Sequence, residues 1–173
     1  IDAGLDPRHP DFQDLLFRNF NEICGNGVDD DENGYIDDCQ GWDIGDSDPD
    51  PNPETLPEMK ASGSTCKSWH GNFMAGIAAA RGDNGVGTSG GLWGSKLINL
   101  KKHDDDACSS STSDSIEAVA YAHAMGAKIM LLSFSTGAYS RNFFDTLVAG
   151  ERDGVLFVMS AGNDGEDIDG QER

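Results

Sequence analysis

Beyond residue 69 the apolar positions follow two alternating rhythms. His70–Ala80 is a run of small apolar residues and helix formers, and it predicts a helix. Lys96–Leu100 predicts a short strand. Ser113–Met125 has a helical period. Asp114 and Glu117 stand at capping spacing, Ile116, Val119, Ala120 and Ala124 share one face, and Gly126 follows the end. Lys128–Phe134 is nearly all apolar, as in a strand buried on both faces. Ser140 predicts a cap for a helix reaching about Asp153, with Phe144, Leu147 and Val148 facing inward and Gly154 as the stop. Val155–Met159 predicts another buried strand. Helices alternating with buried strands give βαβ units, hence an α/β fold with a mostly parallel sheet.

The first 68 residues break this rhythm. They are rich in Gly, Pro, Asn and Asp and read as loops. Residues 48–57 hold four of the six prolines, which predicts a surface excursion. The chain has a net charge of −19, and residues 29–58 contribute twelve acidic side chains with no Lys or Arg. Nucleic-acid phosphates and anionic membranes repel such a chain, so neither is expected as a partner. No apolar run reaches the roughly 18–20 residues that span a bilayer. Clustered carboxylates repel one another unless something neutralises them, so the acidic stretch is either a solvated loop or a cation site.

Its spacing favours the cation. Asp29, Asp31, Asn33 and Asp37 stand at positions 1, 3, 5 and 9 of a loop, with Gly34 at position 6 and the Tyr35 carbonyl at position 7. Six or more hard oxygens arranged this way wrap Ca²⁺ in an EF-hand loop. Gln40 replaces the usual glutamate at position 12, and glycines flank the loop in place of helices. The expectation is an EF-hand-like calcium loop, not an EF-hand domain. The four cysteines, Cys24, Cys39, Cys66 and Cys108, form no C-x-x-C pair, which argues against zinc and for two disulfides in an oxidising compartment.

Two glycine patterns mislead. Gly85–Gly90 fits G-x-G-x-x-G and Gly87–Gly91 fits G-x-S-x-G. Both motifs need a strand before and a helix after, and here the order is reversed, so the segment reads as a helix-to-strand turn. A stronger signal is distributed. Ile1-Asp2-Ala3-Gly4 reads as the end of a strand running into a turn, His70 opens a small-residue helix, and Asn163 follows a buried strand. In a parallel sheet the carboxyl ends of strands line the ligand crevice. A carboxylate, an imidazole and an amide donor therefore share one edge.

These segments resemble the subtilisin-like serine proteases. Ile1-Asp2-Ala3-Gly4-Leu5-Asp6 with His9-Pro10-Asp11-Phe12 is similar to the segment of the catalytic Asp. Residues 26–43 are similar to an insertion in some bacterial and apicomplexan members. Trp69–Gly76 resembles the catalytic His helix, Leu132-Ser133-Phe134-Ser135 the strand that pairs with substrate, and Ser160-Ala161-Gly162-Asn163 the oxyanion segment. The pattern departs from the family at Ala3, Asn72 and Phe73. No Gly-Thr-Ser-Met-Ala segment follows Asn163, so the chain is expected to be an internal fragment of a catalytic domain, with the serine outside it.

The resemblance implies a partial three-layer α/β/α fold and a secreted or secretory-pathway serine endopeptidase. In it Asp2 orients His70, His70 acts as general base, and the Asn163 amide stabilises the oxyanion. Ser133, Phe134, Ser135 and Gly162 would bind an extended peptide by β-augmentation. Peptide or protein substrates, and the protein's own propeptide, are the implied partners, and Ca²⁺ the implied cofactor. Asp38 is an alternative to Asp37 as final ligand, and Asp11 with the Asp83–Asn84 turn resembles a second calcium site. Cys24–Cys39 would close the acidic loop, and Cys66–Cys108 would join the His helix to the cleft border. Asp104, Asp105 and Asp106 on that border are either a solvated loop or a preference for basic side chains. An inactive, peptide-binding homologue and a calcium-binding module stay open as alternative readings.

Overall fold

The computed structural model describes residues 1–53, 69–105, 109–136, 138–165 and 167. Strand β1 (Gly41–Asp43) pairs in parallel with β2 (Asn99–Lys101), and β3 (Ile129–Leu132) with β4 (Leu156–Met159). The first two residues join these pairs. Asp2 N donates to Leu100 O and Lys102 N to Asp2 O, while Ile1 N donates to Leu131 O. The earliest segment of the chain thus lies between two later strands, so the strand order changes direction at Asp2.

Helix α1 (Trp69–Ala79) lies on one face of this array, and α2 (Thr112–Ala124) and α3 (Arg141–Arg152) on the other. The larger core joins Trp42, Leu100, Met130 and Leu132 to Val119 and Tyr121 of α2 and Phe143 of α3. A smaller one joins Leu5, Phe12 and Ala80 on the α1 side. Between α1 and the sheet is an apolar cavity of about 460 Å³, walled by Met74, Ala78, Ile98, Ile129 and Leu131.

Several expectations shift in register. Strand β1 falls inside the loop-rich part, because its three residues are defined by pairing with a segment 58 positions later. Helix α2 buries Ser115, Ala118, Val119 and Ala122, with Ala120 and Ala124 exposed. Its N-cap is Ser111, whose side chain and that of Asp114 form a capping box. Helix α3 buries Phe143 and Gly150, while Phe144 is 49% exposed. Gly150 is small because Phe157 packs directly above it. Strand β4 is not buried on both faces. It is the outer strand of the described sheet, with Leu156 and Val158 exposed.

Candidate active site and acidic loop

Asp2 and His70 meet where the strand order turns. Asp2 Oδ1 lies 2.7 Å from His70 Nδ1, with side chains 14% and 38% exposed. An ionised carboxylate only accepts, so it selects the tautomer of the neutral imidazole with the proton on Nδ1 and the lone pair on Nε2. The Ala3 amide also donates to Asp2 Oδ1, at 2.7 Å. Glycine fixes the approach. The first turn of α1 rests on Gly4, and a Cβ on Gly71 would overlap the Gly4 carbonyl. Gly4 itself has φ +87°, a conformation in which other residues are strained.

The departures from the family pattern are accommodated. Asn72 Oδ1 accepts from Asp6 N at 2.9 Å, pinning the loop after Asp2 to the helix. Phe73 is 62% exposed and packs edge-on against Trp69, with centroids 5.3 Å apart. Ala3 is buried.

The remaining site residues lie on the segments that leave the strands. Ser133–Ser135 follow β3, and Ser160 Oγ donates to Phe134 O at 3.1 Å, tying the exit of β4 to the exit of β3. Gly162 has φ +90°, and Asn163 beyond it is exposed. At the exit of β2, Lys101 Nζ is buried among carboxylates: Asp43 Oδ2 at 2.6 Å, Asp46 Oδ2 at 3.7 Å, and Asp105 Oδ1. Burial pushes the Asp43 carboxyl up to about 6 despite that ammonium. The three acids form a metal-like cluster, but Lys101 fills it. Asp104 accepts from Ser109 N and Oγ. Asp104 and Asp105 are therefore engaged by the protein itself. Asp106 lies outside the described residues. The sequence also gave no hint of His103, which sits beside Asp2 and is shifted toward its neutral form, first by burial and then by Lys102.

The acidic loop has no helix or strand from Asn19 to Asp38. Cys24–Cys39 closes it, as expected, while Cys66 and Cys108 lie outside the described residues. Side-chain oxygens of Glu22, Asp31 and Asp38 lie within 4.8 Å of one another. Asp38 is fully buried, and accepts from Asn19 Nδ2 at 2.7 Å, Asn33 Nδ2 at 2.8 Å and Tyr121 Oη at 2.8 Å. Glu22 accepts from the amides of Asp30, Asp31 and Asp37. Asp29 instead binds the amides of Asn33 and Gly34, and Asp37 those of Gly25, Asn26 and Gly27. Tyr35 stacks edge-on against both Trp42 and Tyr121. Three converging carboxylates, two of them buried, are a hard-oxygen donor set that fits Ca²⁺. Separately, Asp11 is buried, accepting from Asn84 Nδ2 at 2.8 Å and Thr88 N at 2.9 Å, and these bonds hold its pKa below the usual carboxylate range.

Comparison with known proteins agrees with this architecture. The chain is 33% identical over 164 residues to subtilisin-like protease 1 of Plasmodium berghei, covering 94% of this chain and 25% of that protein. It is 35% identical over 126 residues to halolysin of Haloferax mediterranei, covering 73% of this chain and 22% of that protein. The chain thus spans about a quarter of these relatives. A solved psychrophilic protease, S41, superposes with TM-score 0.60 and 21% identity over 96% of this chain and 45% of that one, which supports the fold. Among the described residues no helix is long and apolar enough to cross a membrane. The profile of the subtilase family matches residues 1–173, and the chain belongs to that family.

Proposed function

We propose that this chain is part of a secreted or secretory-pathway serine endopeptidase of the Asp–His–Ser type. The observation that carries the reading is the 2.7 Å contact between Asp2 Oδ1 and His70 Nδ1. Holding the proton on Nδ1 leaves Nε2 as the base that takes a proton from a serine hydroxyl and returns it to the leaving amine. The imidazolium formed on the way is stabilised by Asp2. Asn163 donates its amide to the developing oxyanion, and Ser133–Ser135 with Gly162 receive an extended peptide. A serine hydroxyl brought to His70 Nε2 would complete the set, and we assign the apolar face between α1 and β3 to the remainder of a catalytic domain, since the chain spans about a quarter of its relatives. In the full-length protein, His70→Ala lowers kcat by about 10⁴–10⁶-fold and Asn163→Ala by about 10²–10³-fold, magnitudes carried over from subtilisin. Steady-state hydrolysis of a peptide library measures both. Unchanged turnover in His70→Ala sinks the assignment.

We further propose that the acidic loop holds Ca²⁺ through Glu22, Asp31 and Asp38, with residues 29–58 as an insertion serving that site. Asp29 and Asp37 would shape the loop by binding its amides. When bound, the ion neutralises three clustered carboxylates and braces the loop. Asp11 and Asn84 are the proposed ligands of a second, separate site. Terbium titration tests the first, since Tyr35, Trp42 and Tyr121 stand close enough to sensitise its luminescence. Glu22→Gln and Asp38→Asn should each weaken binding at least about ten-fold. Binding equal to the parent in both variants removes the loop as a site.

A further inference from the structure

Two neighbouring lysines at the end of β2 are held in opposite ways. Lys101 is surrounded by carboxylates. Lys102 is 5% exposed, and among the described residues its ammonium has no carboxylate within 4 Å. Its Nζ donates to Ser110 Oγ at 2.8 Å and lies 3.7 Å from the centroid of the Phe134 ring. The carboxylates whose fields reach it are Asp114 and Asp2, and both are committed elsewhere. Asp114 accepts from Ser111 N and Oγ, and Asp2 binds His70 and the Ala3 amide. An ammonium has three donors, and one hydroxyl and one ring face leave a buried cation undercompensated. Burial accordingly pulls its pKa below the ordinary lysine value.

The groups covering Lys102 are the walls of the cleft. Phe134 belongs to the proposed peptide-pairing segment, and Ser110 to the segment facing it. Both are only partly buried, with Ser109 and Ser135 exposed beside them. We propose that Lys102 is a specificity-determining residue: it receives the carboxylate of an aspartate or glutamate side chain of the bound peptide, between Phe134 and Ser109–Ser111. A rotation of the Phe134 ring or the Ser110 side chain, of the kind common when an interface forms, opens the path. The carboxylate then gains a charge-assisted bond in a dry setting, and an uncharged amide of the same shape does not. This rests on the peptidase reading, with the peptide along Ser133–Ser135.

The test is a positional scan with the full-length protein, using peptides that carry Glu or Gln at each of the four positions before the cleaved bond. At one position Glu should raise kcat/KM at least about ten-fold over Gln. Lys102→Met should bring that ratio to within about two-fold of unity, and Lys102→Arg should retain a preference for Glu. Lys96→Met, at an exposed lysine, should leave the ratio unchanged and so control for net charge. Fluorescence anisotropy with full-length His70→Ala gives the same Glu-to-Gln ratio as an affinity, without turnover. Equal values for Glu and Gln at every position overturn the proposal, as does a preference that survives Lys102→Met. If no peptide is cleaved, the peptidase reading fails, and the affinity ratio decides on Lys102 alone. Should Lys102→Met fail to fold, the parent's own ratio still decides.

Discussion

Helix α1 meets the start of the chain through glycine, backbone against backbone, and the Asp2–His70 pair inherits its geometry from that contact. Residues 19–38 form no helix or strand. There, carboxylates do what ladders do elsewhere. Glu22 takes three amides, Asp37 three and Asp29 two, so backbone donors of an irregular segment are satisfied by side chains. A site can be positioned by regular elements in close contact, or by acids that organise the loop they stand on. The first arrangement is intolerant of added volume, the second of lost charge and lost cross-links.

The largest effect is therefore expected at Gly71. Gly71→Ala drives a methyl into the Gly4 carbonyl, which no flexible side chain can relieve. It should destabilise by about 3 kcal/mol or more in chemical denaturation, and separate Asp2 from His70. Removing the Cys24–Cys39 bridge in a Cys24→Ser/Cys39→Ser variant should cost about 3 kcal/mol, by freeing a loop of 15-residue separation in the unfolded chain. The loss should be read in calorimetry and should leave the Asp2–His70 contact intact, as histidine NMR reports it. Tyr121→Phe removes one donor from the buried Asp38 carboxylate and should cost about 1.5 kcal/mol. If Tyr121→Phe were as damaging as Gly71→Ala, the loop would be as tightly built as the sheet edge, and the contrast would fail.

The sheet edge was legible because its signals are local. A strand end, a helix start and a post-strand turn each leave a short pattern, and Asp2, His70 and Asn163 stand in them. The buried faces of the helices were less legible. Alanines occur on both sides of α2, so periodicity alone does not separate Ala118 and Ala122 from Ala120 and Ala124. The burial of Tyr121 is settled by Asp38, 83 residues away. In α3, Leu147 stands four residues after Phe143 and three after Phe144, so either phenylalanine fits a helical stripe, and Phe157 above Gly150 decides. Glu22 was invisible to spacing. It stands seven residues before Asp29, and only the folding back of the loop brings it to Asp31 and Asp38. The same holds for Lys101 and Lys102, whose opposite surroundings depend on distant segments, Asp43 for the first and Phe134 for the second.

The place of Asp2 between β2 and β3 also sets a timetable. Its backbone partner Leu100 lies 98 positions later, and Ile1 waits for Leu131, 130 positions later. Contacts this distant in sequence close late and slowly, because the intervening chain must be ordered first. During synthesis from the N-terminus, Asp2 can leave the ribosome long before either neighbour exists. Its carboxylate meets His70 across 68 positions, but the backbone of the first two residues finds its second neighbour only once Leu131 has emerged, so the nascent chain cannot complete this edge of the sheet early.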